Sequence, residues 1–547
     1  MKILVTVYLY PIVGIQWSMQ TDKQRDVKSK KISGGYLKNL TAFSRVNVLC
    51  AAVFLFGVLY YLLTPLAGDI YVNLGSAHLA EVQYGGGVWG AIQSWDLRLF
   101  INRVFIYDIY KITRVFSDFE DKEGFLFGMK ITYSILIILT SLSLSVVLKR
   151  FRSYNLGLQT HQYFLLICGV LFLHSFSTIL QPEYTSLLLS LLALYFLLSS
   201  RRINYLIGIV ILSMIPFFKG ITAIFVIQTL CILYGYYQWR LSQVLKALIS
   251  SVLVSSLIFI GLYYFYPQEL VDIRQATYFQ SSFSSGIWEF IKSNYRFVVF
   301  SLQAITHFPL LPIAFLTFFF GILKNGKKIL YDRTIISILM MWVVGYLSLI
   351  IQGRYWVYHF VNFSIPILFS LPVLWTQIKG NLLHQRFVAV LICLLIGLFL
   401  FETSPLQKIS PIQSVWPHWN YVNMQKQIKL FKTLAAAKPN EVNSADTVLY
   451  LDAGFGAVSW GTNTASRYYY PLPIQRYQKN PMLSQTSSYN EVLKVMNDYD
   501  GKYILFDKSW RPIPEIEDFD KFRHKLNSDY ISYPIDSNYL IYKKNGK

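Results

Sequence analysis

Six polar side chains of this sequence lie at or near the ends of long apolar runs. They are Asp69, Glu183, Lys219, Arg354, Tyr355 and His359. A carboxylate in such a position can take a proton from a hydroxyl group, whereas lysine and arginine can bind a phosphate. If every basic loop is put on one side of a membrane, all six residues lie on the other side. This arrangement favours chemistry or transport at that face over a simple anchoring role.

The composition indicates an integral membrane protein. Of the 547 residues, 54% are hydrophobic and 14% are charged, whereas soluble domains carry about 25% charged residues. Uncharged stretches of about 20 residues predict transmembrane helices. The net charge of +21 does not favour a nucleic-acid partner, because most lysines and arginines lie in short loops beside these stretches, as the positive-inside rule describes.

The chain divides into three predicted parts. Residues 1–45 end in a basic segment, which predicts a cytoplasmic N-terminus. Residues 46–402 predict about eleven transmembrane helices, with a long external first loop at 67–125. Residues 403–547 are more polar and predict a soluble α/β domain on the outer face. Spans are expected at about 46–66, 126–147, 163–180, 184–199, 247–266, 334–352 and 387–402, with four more between them.

Local patterns predict structure in the two external regions. Strands are expected at 446–452, 502–507 and 538–544, with a helix at 489–499. In the first loop, apolar residues recur at helical spacing within 94–116. This helix fits two positions, flat on the membrane interface or packed inside a loop domain.

Asp69 follows the first predicted span almost directly. A carboxylate at the edge of the hydrocarbon is costly unless it is paired or functional. Asp69 therefore fits two roles. One is a residue that caps the helix end or faces water, and the other is a general base that takes the proton from an acceptor hydroxyl. His78 and Glu81 are candidates to support it from a following helix.

Two tight external turns each carry one charged residue. Glu183 follows Pro182, and it fits either a solvated turn position or a binding site. Lys219 runs against the positive-inside trend. It either extends its ammonium group to the interface or binds a phosphate.

A third external segment begins at Arg354 and opens a late span. Arg354 can hold a phosphate through two parallel hydrogen bonds. Tyr355 belongs to a row of aromatic residues that also fits an interfacial belt. His359 fits a structural hydrogen-bonding role or a ligand-binding one. No cysteine and histidine cluster has metal-ligand spacing, so the sequence predicts no metal site.

These residues and this topology resemble the GT-C superfamily of integral-membrane glycosyltransferases, which includes protein O-mannosyltransferases and lipid A aminoarabinose transferases. By topology the resemblance covers most of residues 46–510. The adjacent Asp-Glu pair of the mannosyltransferases is absent, since Ile70 follows Asp69. The resemblance therefore does not identify the class of sugar that is transferred. The segments that carry the resemblance are Gly68-Asp69, Gln181-Pro182-Glu183, Phe218-Lys219-Gly220, the run Gly353–His359 and the run Ser466–Pro471.

The resemblance implies an inverting transfer of a hexose or pentose from a polyprenyl-phosphate donor to a lipid, glycan or protein acceptor. The reaction would take place on the outer face of the cytoplasmic membrane, in a bacterial cell envelope. Asp69 would be the general base. The cofactor is left open: a divalent metal is an option, since some members of the superfamily use one, and the sequence shows no ligand cluster for it. The substrate-binding residues would be Glu183, Lys219, Arg354, Tyr355 and His359.

Two other functions stay open as alternatives. A polysaccharide polymerase or ligase of the O-antigen type also has many spans and external arginine and histidine. Those enzymes carry their catalytic residues in a large late loop, which is short here. A transporter holds charged sites near mid-membrane, often in repeated halves, whereas the predicted spans have uncharged centres and no repeat. The glycosyltransferase is therefore the favoured hypothesis.

Overall fold

The chain is mainly helical, with one small sheet near its C-terminal end, over the residues that the structure describes. The predicted helical protein with a small α/β tail is therefore confirmed. The structure is a computed structural model. It describes residues 47–48, 50–59, 61–62, 69–93, 100–118, 122–149, 158–174, 181–265, 267, 332–352, 357–378, 421–452, 455–466, 487–508 and 519–546.

The described helices of the first 378 residues follow the predicted apolar runs, and three more helices lie in the first loop, of which α4 (Phe100–Thr113) is the one predicted within 94–116. Short 3-10 turns at Ile215–Phe217 and Gly220–Thr222 separate α8 from α9, and a 3-10 helix at Val357–Phe363 precedes α12. The helices are α1 (Cys50–Leu59), α2 (Asp69–Val82), α3 (Gly87–Gln93), α4 (Phe100–Thr113), α5 (Lys122–Lys149), α6 (Thr160–His174), α7 (Pro182–Leu197), α8 (Arg202–Met214), α9 (Ala223–Gly235), α10 (Leu241–Phe265), α11 (Arg333–Gln352) and α12 (Ser364–Ile378).

The count of eleven spans is not supported. Among the described residues, α5 and α10 are long and apolar enough to cross a membrane. In the other apolar helices there, the stretch with described side chains is shorter, at 10–17 residues, whereas a crossing takes about 20. The eighth predicted span, before Lys324, and the last one, at 387–402, lie outside the described residues.

Close backbone approach and buried hydrogen bonds join α1 and the residues just after it to neighbouring helices. A Cβ atom on Gly57 would lie 2.4 Å from the carbonyl oxygen of Gly169 in α6, so glycine is required for this close crossing of two helices. Lys130 of α5 is buried and donates to the carbonyl oxygens of Tyr61 and Leu62, at 3.2 and 2.8 Å. These bonds satisfy carbonyl groups that the end of a helix leaves open.

The basic residues gather at one end of the helical body. Tyr237, just after α9, donates to the carbonyl oxygen of Val147 in α5 at 2.8 Å. Thr334 in α11 donates to that of Gly235 at the end of α9, at 3.1 Å. The turn before α7 and the turn between α8 and α9 therefore lie at the opposite end. The residues at the basic end are Lys149, Arg201, Arg202, Arg240 and Arg333.

The C-terminal tail forms a mixed sheet in the order β2-β1-β3-β5-β4. Strand β1 is parallel to β2 and β3, whereas β5 is antiparallel to β3 and β4. The three predicted strands and the predicted helix are confirmed, and β2 and β4 are additional. The elements are α13 (Tyr421–Ala436), β1 (Thr447–Leu451), α14 (Phe455–Trp460), β2 (Asn463–Thr464), α15 (Ser487–Asp498), β3 (Tyr503–Asp507), α16 (Asp520–Asp529), β4 (Tyr530–Pro534) and β5 (Tyr539–Lys544).

The alternation of side chains along β1 divides the core of the tail into two faces. Leu449 and Leu451 pack with α15 and α16 on one face. Val448 and Tyr450 pack with α13 and α14 on the other face, where Leu79 of α2 is buried among them. A helix of the first loop therefore completes the hydrophobic core of the tail.

The helix predicted within 94–116 is α4, and it is packed inside the loop region. Asn102, Arg103, Ile106, Tyr107 and Tyr110 are all buried. A helix lying flat on a membrane would keep one charged face in water. The packed position, one of the two that the sequence pattern allowed, is therefore the one observed.

The contact between α2 and the tail yields a testable prediction. The substitution Leu79→Ala removes a side chain that is 1% exposed, and we expect it to destabilise the tail by about 2–4 kcal/mol. The measurement is thermal unfolding together with hydrogen exchange of the β1 amides. Val82→Ala on the same helix is the control, because Val82 is 38% exposed. Equal effects of the two substitutions would contradict the docking of α2 on the sheet.

Candidate functional site

Glu183 is fully buried in the first turn of α7, with an exposure of 0%. Pro182 occupies the first turn of the helix, where a proline without an N–H is tolerated. The N-terminal end of a helix stabilises a carboxylate through its unpaired N–H groups. The alternative of a solvated turn glutamate is therefore wrong, because no surface of this residue meets solvent.

Lys219 points its ammonium group at this carboxylate. The Nζ atom donates to Oε1 of Glu183 at 2.5 Å, and the lysine side chain is 20% exposed. Pro216 lies in the 3-10 turn that ends α8. The hydroxyl of Thr222 donates to the carbonyl oxygen of Lys219 at 2.6 Å, which tightens the turn that carries the lysine.

His359 completes a cluster that we call the buried polar centre, formed by Glu183, Lys219 and His359. The Nε2 atom of His359 lies 3.9 Å from Oε1 of Glu183, and the ring is buried. At this distance the two groups form an ion pair when the imidazole is protonated. The sequence predicts these three residues in one substrate site, and the structure brings them together from three separate elements.

The 3-10 helix that carries His359 is held by two polar contacts. Gln228 of α9 donates to the carbonyl oxygen of Asn362 at 2.9 Å. The amide of Asn362 donates to the hydroxyl of Ser348 in α11 at 2.8 Å. These bonds fix the position of His359 against two helices of the body.

Aromatic residues connect the buried polar centre to the first loop. The hydroxyls of Tyr133 and Thr185 lie 2.5 Å apart, and Tyr133 stacks on Tyr184. Phe105 of α4 packs edge-on against Tyr133 and against Phe218, the residue before Lys219. The first loop therefore closes over the helical body next to the lysine.

The electrostatics of the centre differ from those of a surface ion pair. Removing a carboxylate from water carries a large desolvation cost, which the ammonium group of Lys219 offsets in part. The second carboxylate oxygen of Glu183, Oε2, is buried and has no hydrogen-bond partner among the described residues. A buried acceptor of this kind favours a bound group with an N–H or O–H.

The other predicted site residues are described in part or not at all. Asp69 is the first residue of α2, and its side chain lies outside what the structure describes. Arg354 and Tyr355 also lie outside the described residues. Their roles as general base and substrate-binding residues stay predictions.

The expectation that His78 and Glu81 support Asp69 directly is wrong. All three residues belong to α2, so the two side chains lie about 13 and 18 Å further along the helix axis. The Nδ1 atom of His78 lies 3.3 Å from the hydroxyl of Tyr110 in α4. These residues join α2 to α4 and are too far along the helix to contact Asp69.

Glu81 joins α2 to α4 through charged and polar contacts. Its carboxylate accepts bonds from Lys111 at 2.7 Å, from Arg114 at 3.4 Å and from Tyr107. Burial raises the pKa of Glu81. The hydrogen bonds from Lys111 and Tyr107 and the positive charges of Lys111 and Arg114 together lower it by more, so the pKa lies below its ordinary value. Glu81 therefore braces the loop as a charged group at neutral pH.

Sequence reasoning missed several residues that build the site. Tyr133, Thr185 and Gln228 lie within apolar helices and show no periodic pattern of their own. The signal that could have found them is the presence of hydrogen-bonding side chains inside an apolar run, where such groups are expensive.

Among the described residues, no three histidine, cysteine, aspartate or glutamate side chains gather as metal ligands. No protein-family model matches the chain, and no curated protein matches its sequence. The likeness to GT-C glycosyltransferases therefore rests on the residues quoted above.

The Glu183–Lys219 pair yields a testable prediction about stability. Lys219→Met leaves a fully buried carboxylate with a lost partner, and we expect a loss of about 3–5 kcal/mol. Glu183→Gln leaves a lysine that is 20% exposed, and we expect a smaller loss of about 1–3 kcal/mol. The stability loss of the double variant should be smaller than the sum of the losses of the two single variants.

The measurement is a double-mutant cycle from denaturant unfolding of the purified full chain. Lys521→Met is the control, because Lys521 and Asp498 form an ion pair with both side chains more than half exposed. We expect this control to change stability by less than about 1 kcal/mol. Strict additivity of the Glu183 and Lys219 variants would contradict the coupling of the two charges.

Proposed function

We propose that this chain is an integral-membrane glycosyltransferase. It transfers a sugar from a polyprenyl-phosphate-linked donor to a lipid, glycan or protein acceptor on the outer face of the cytoplasmic membrane. The observation that carries the proposal is the buried polar centre, in which a fully buried carboxylate, an ammonium group and an imidazole meet at one end of an apolar helical body.

The surface of α10 supports a membrane location. Only Ala247, Ser251 and Leu262 of its 25 residues are buried, and the exposed residues include Leu253, Leu257 and many other apolar side chains. A helix of this length is about 38 Å long, which exceeds the hydrocarbon thickness of about 30 Å. In water such a surface would aggregate, whereas in a bilayer it faces lipid.

The distribution of charge supports an orientation with the buried polar centre outside. The basic residues gather at the end of the helical body opposite to Glu183 and Lys219. Basic ends of membrane helices lie in the cytoplasm. The C-terminal tail packs on α2 of the first loop, and it shares that external side in the proposed topology.

The buried polar centre suits a sugar phosphate. An ammonium group has three donors, so Lys219 can hold Glu183 and a phosphate oxygen together. A phosphate that leaves a sugar gains negative charge, and a cation fixed in a site of low polarity stabilises it strongly. Arg354, five residues before His359 in the chain, adds a second cation in this proposal.

The proposed reaction is a single displacement with inversion. The acceptor oxygen attacks the anomeric carbon, and the bond from that carbon to the phosphate oxygen breaks. The electron pair leaves with the phosphate, whose charge Lys219 offsets, together with Arg354 in this proposal. Asp69, at the start of α2, takes the proton of the acceptor hydroxyl as the general base.

The experiment that tests the proposal is mass spectrometry of envelope glycolipids and glycans in cells that lack the protein. The cells are rescued with the wild-type chain or with Asp69→Asn. We expect the wild type to restore a missing sugar, identified by its mass, and Asp69→Asn to restore at most about 1% of it, because a general base typically contributes 10²–10⁴-fold.

Asp118→Asn is the matched control, since Asp118 is an exposed aspartate of the same loop. It should rescue fully. Immunoblots of membrane fractions check that each variant is inserted normally. Full rescue by Asp69→Asn would contradict the role of Asp69 and favour the polymerase, ligase or transporter alternatives.

A further inference from the structure

Asn102 of α4 is a buried polar residue to which the mechanism assigns no role. The residue has an exposure of 0%. Neither the Nδ2 donor nor the Oδ1 acceptor has a hydrogen-bond partner among the described residues. A buried amide with no bonds is rare in native proteins, because both groups lose their bonds to water without replacement. Such a side chain therefore needs an explanation.

The course of α4 sets the direction in which Asn102 lies. At its C-terminal end, the hydroxyl of Thr113 is 3.3 Å from that of Thr132 in α5. Two turns earlier, Phe105 packs on Tyr133 and on Phe218. Residues three apart on a helix share a face, so Asn102 lies one turn beyond Phe105 on the same face. It therefore faces the side of α4 that covers Phe218 and the turn that carries Lys219.

Two more polar groups on α7 lack partners. They are Oε2 of Glu183 and, one turn later, the hydroxyl of Ser186, and both are buried within the described part of the chain. The α7 and α4 helices both contact the segment around Phe218 and Lys219. The two helices that carry these unpartnered buried groups therefore meet at one segment.

The chemistry of these groups selects the ligand class. The Oδ1 atom of Asn102 and Oε2 of Glu183 both accept hydrogen bonds and need a donor. A deprotonated phosphate has acceptors only, so it cannot satisfy them. A sugar hydroxyl both donates and accepts, and it can bond to the amide and to the carboxylate.

We propose that Asn102 is a further substrate-binding residue, which recognises hydroxyl groups of the sugar carried by the lipid donor. Glu183 contributes its Oε2 atom to the same recognition. This inference rests on the proposed function, since it assumes a sugar-phosphate donor next to Lys219. In this arrangement Lys219 binds the phosphate, whereas the amide of Asn102 and the carboxylate of Glu183 bind the sugar hydroxyls.

The inference predicts opposite effects on stability and on recognition. Asn102→Leu replaces the unpaired amide with an apolar group of similar volume. The melting temperature of the protein without a bound polyprenyl lipid should rise by about 1–3 °C, because the desolvated amide is removed. The preference for a sugar-linked lipid should fall about tenfold or more, because the site loses its hydrogen bonds to the sugar.

The experiment uses the purified full chain in lipid nanodiscs. Two kinds of probe are compared, polyprenyl phosphate alone and polyprenyl phosphates that carry glucose, galactose, mannose or arabinose. Affinities and melting temperatures are measured for the wild type, Asn102→Leu and Asn102→Ala. Asn204→Leu is the control, because Asn204 of α8 lies at the basic end and bonds to Ser199 at 2.8 Å.

We expect the wild type to bind at least one sugar-linked lipid about tenfold more tightly than the bare lipid, and both Asn102 variants to lose this preference. Affinity for the bare lipid should stay within about twofold. If Asn102→Leu lowers the melting temperature and keeps the preference for the sugar-linked lipid, the amide has a structural role. The inference about Asn102 is then wrong, whereas the proposed function is unaffected. If the wild type binds neither kind of lipid, the proposed function fails as well.

Discussion

The ion pair between Glu183 and Lys219 is the interaction on which the arrangement of the helical body depends. Burying a carboxylate without a charged partner is costly, and the contact between the turn before α7 and the turn between α8 and α9 supplies that partner. The 3-10 helix that carries His359 joins them, held by Gln228 and Asn362. Three segments that are distant in sequence are fixed at one end of the body by a single buried charge.

The first loop connects this centre to the C-terminal tail. Leu79 of α2 is buried in the core of the tail, and Glu81 joins α2 to α4. Through Phe105, α4 then packs against Phe218 beside Lys219. A continuous series of contacts therefore runs from the sheet to the buried polar centre. In the proposed mechanism, this series positions the start of α2, and with it Asp69, relative to the bound donor.

Sequence patterns predict where the helices and strands lie better than they predict which side chains of those elements contact each other. Strands β1, β3 and β5 were predictable because each is a short run of apolar and aromatic residues, whereas β2 has two residues and β4 is an exposed edge strand. Glu183, Lys219 and His359 were recognisable because a polar residue at the end of an apolar run is costly. Their mutual contact depends on tertiary packing, and 36 residues separate the first two. Asn102 gave no signal, since it lies in a helix that also carries charged residues.

The most direct test of the account is the binding of bare polyprenyl phosphate to the full chain in nanodiscs. The wild type is compared with the double variant Glu183→Gln, Lys219→Met, which removes both charges together, and with Lys521→Met as an exposed control. We expect the double variant to lose at least about tenfold in affinity, since a charge-assisted bond to phosphate is worth about 1.5–3 kcal/mol. We expect the control to bind like the wild type. Equal binding by all three proteins would contradict the assignment of the buried polar centre as a sugar-phosphate site.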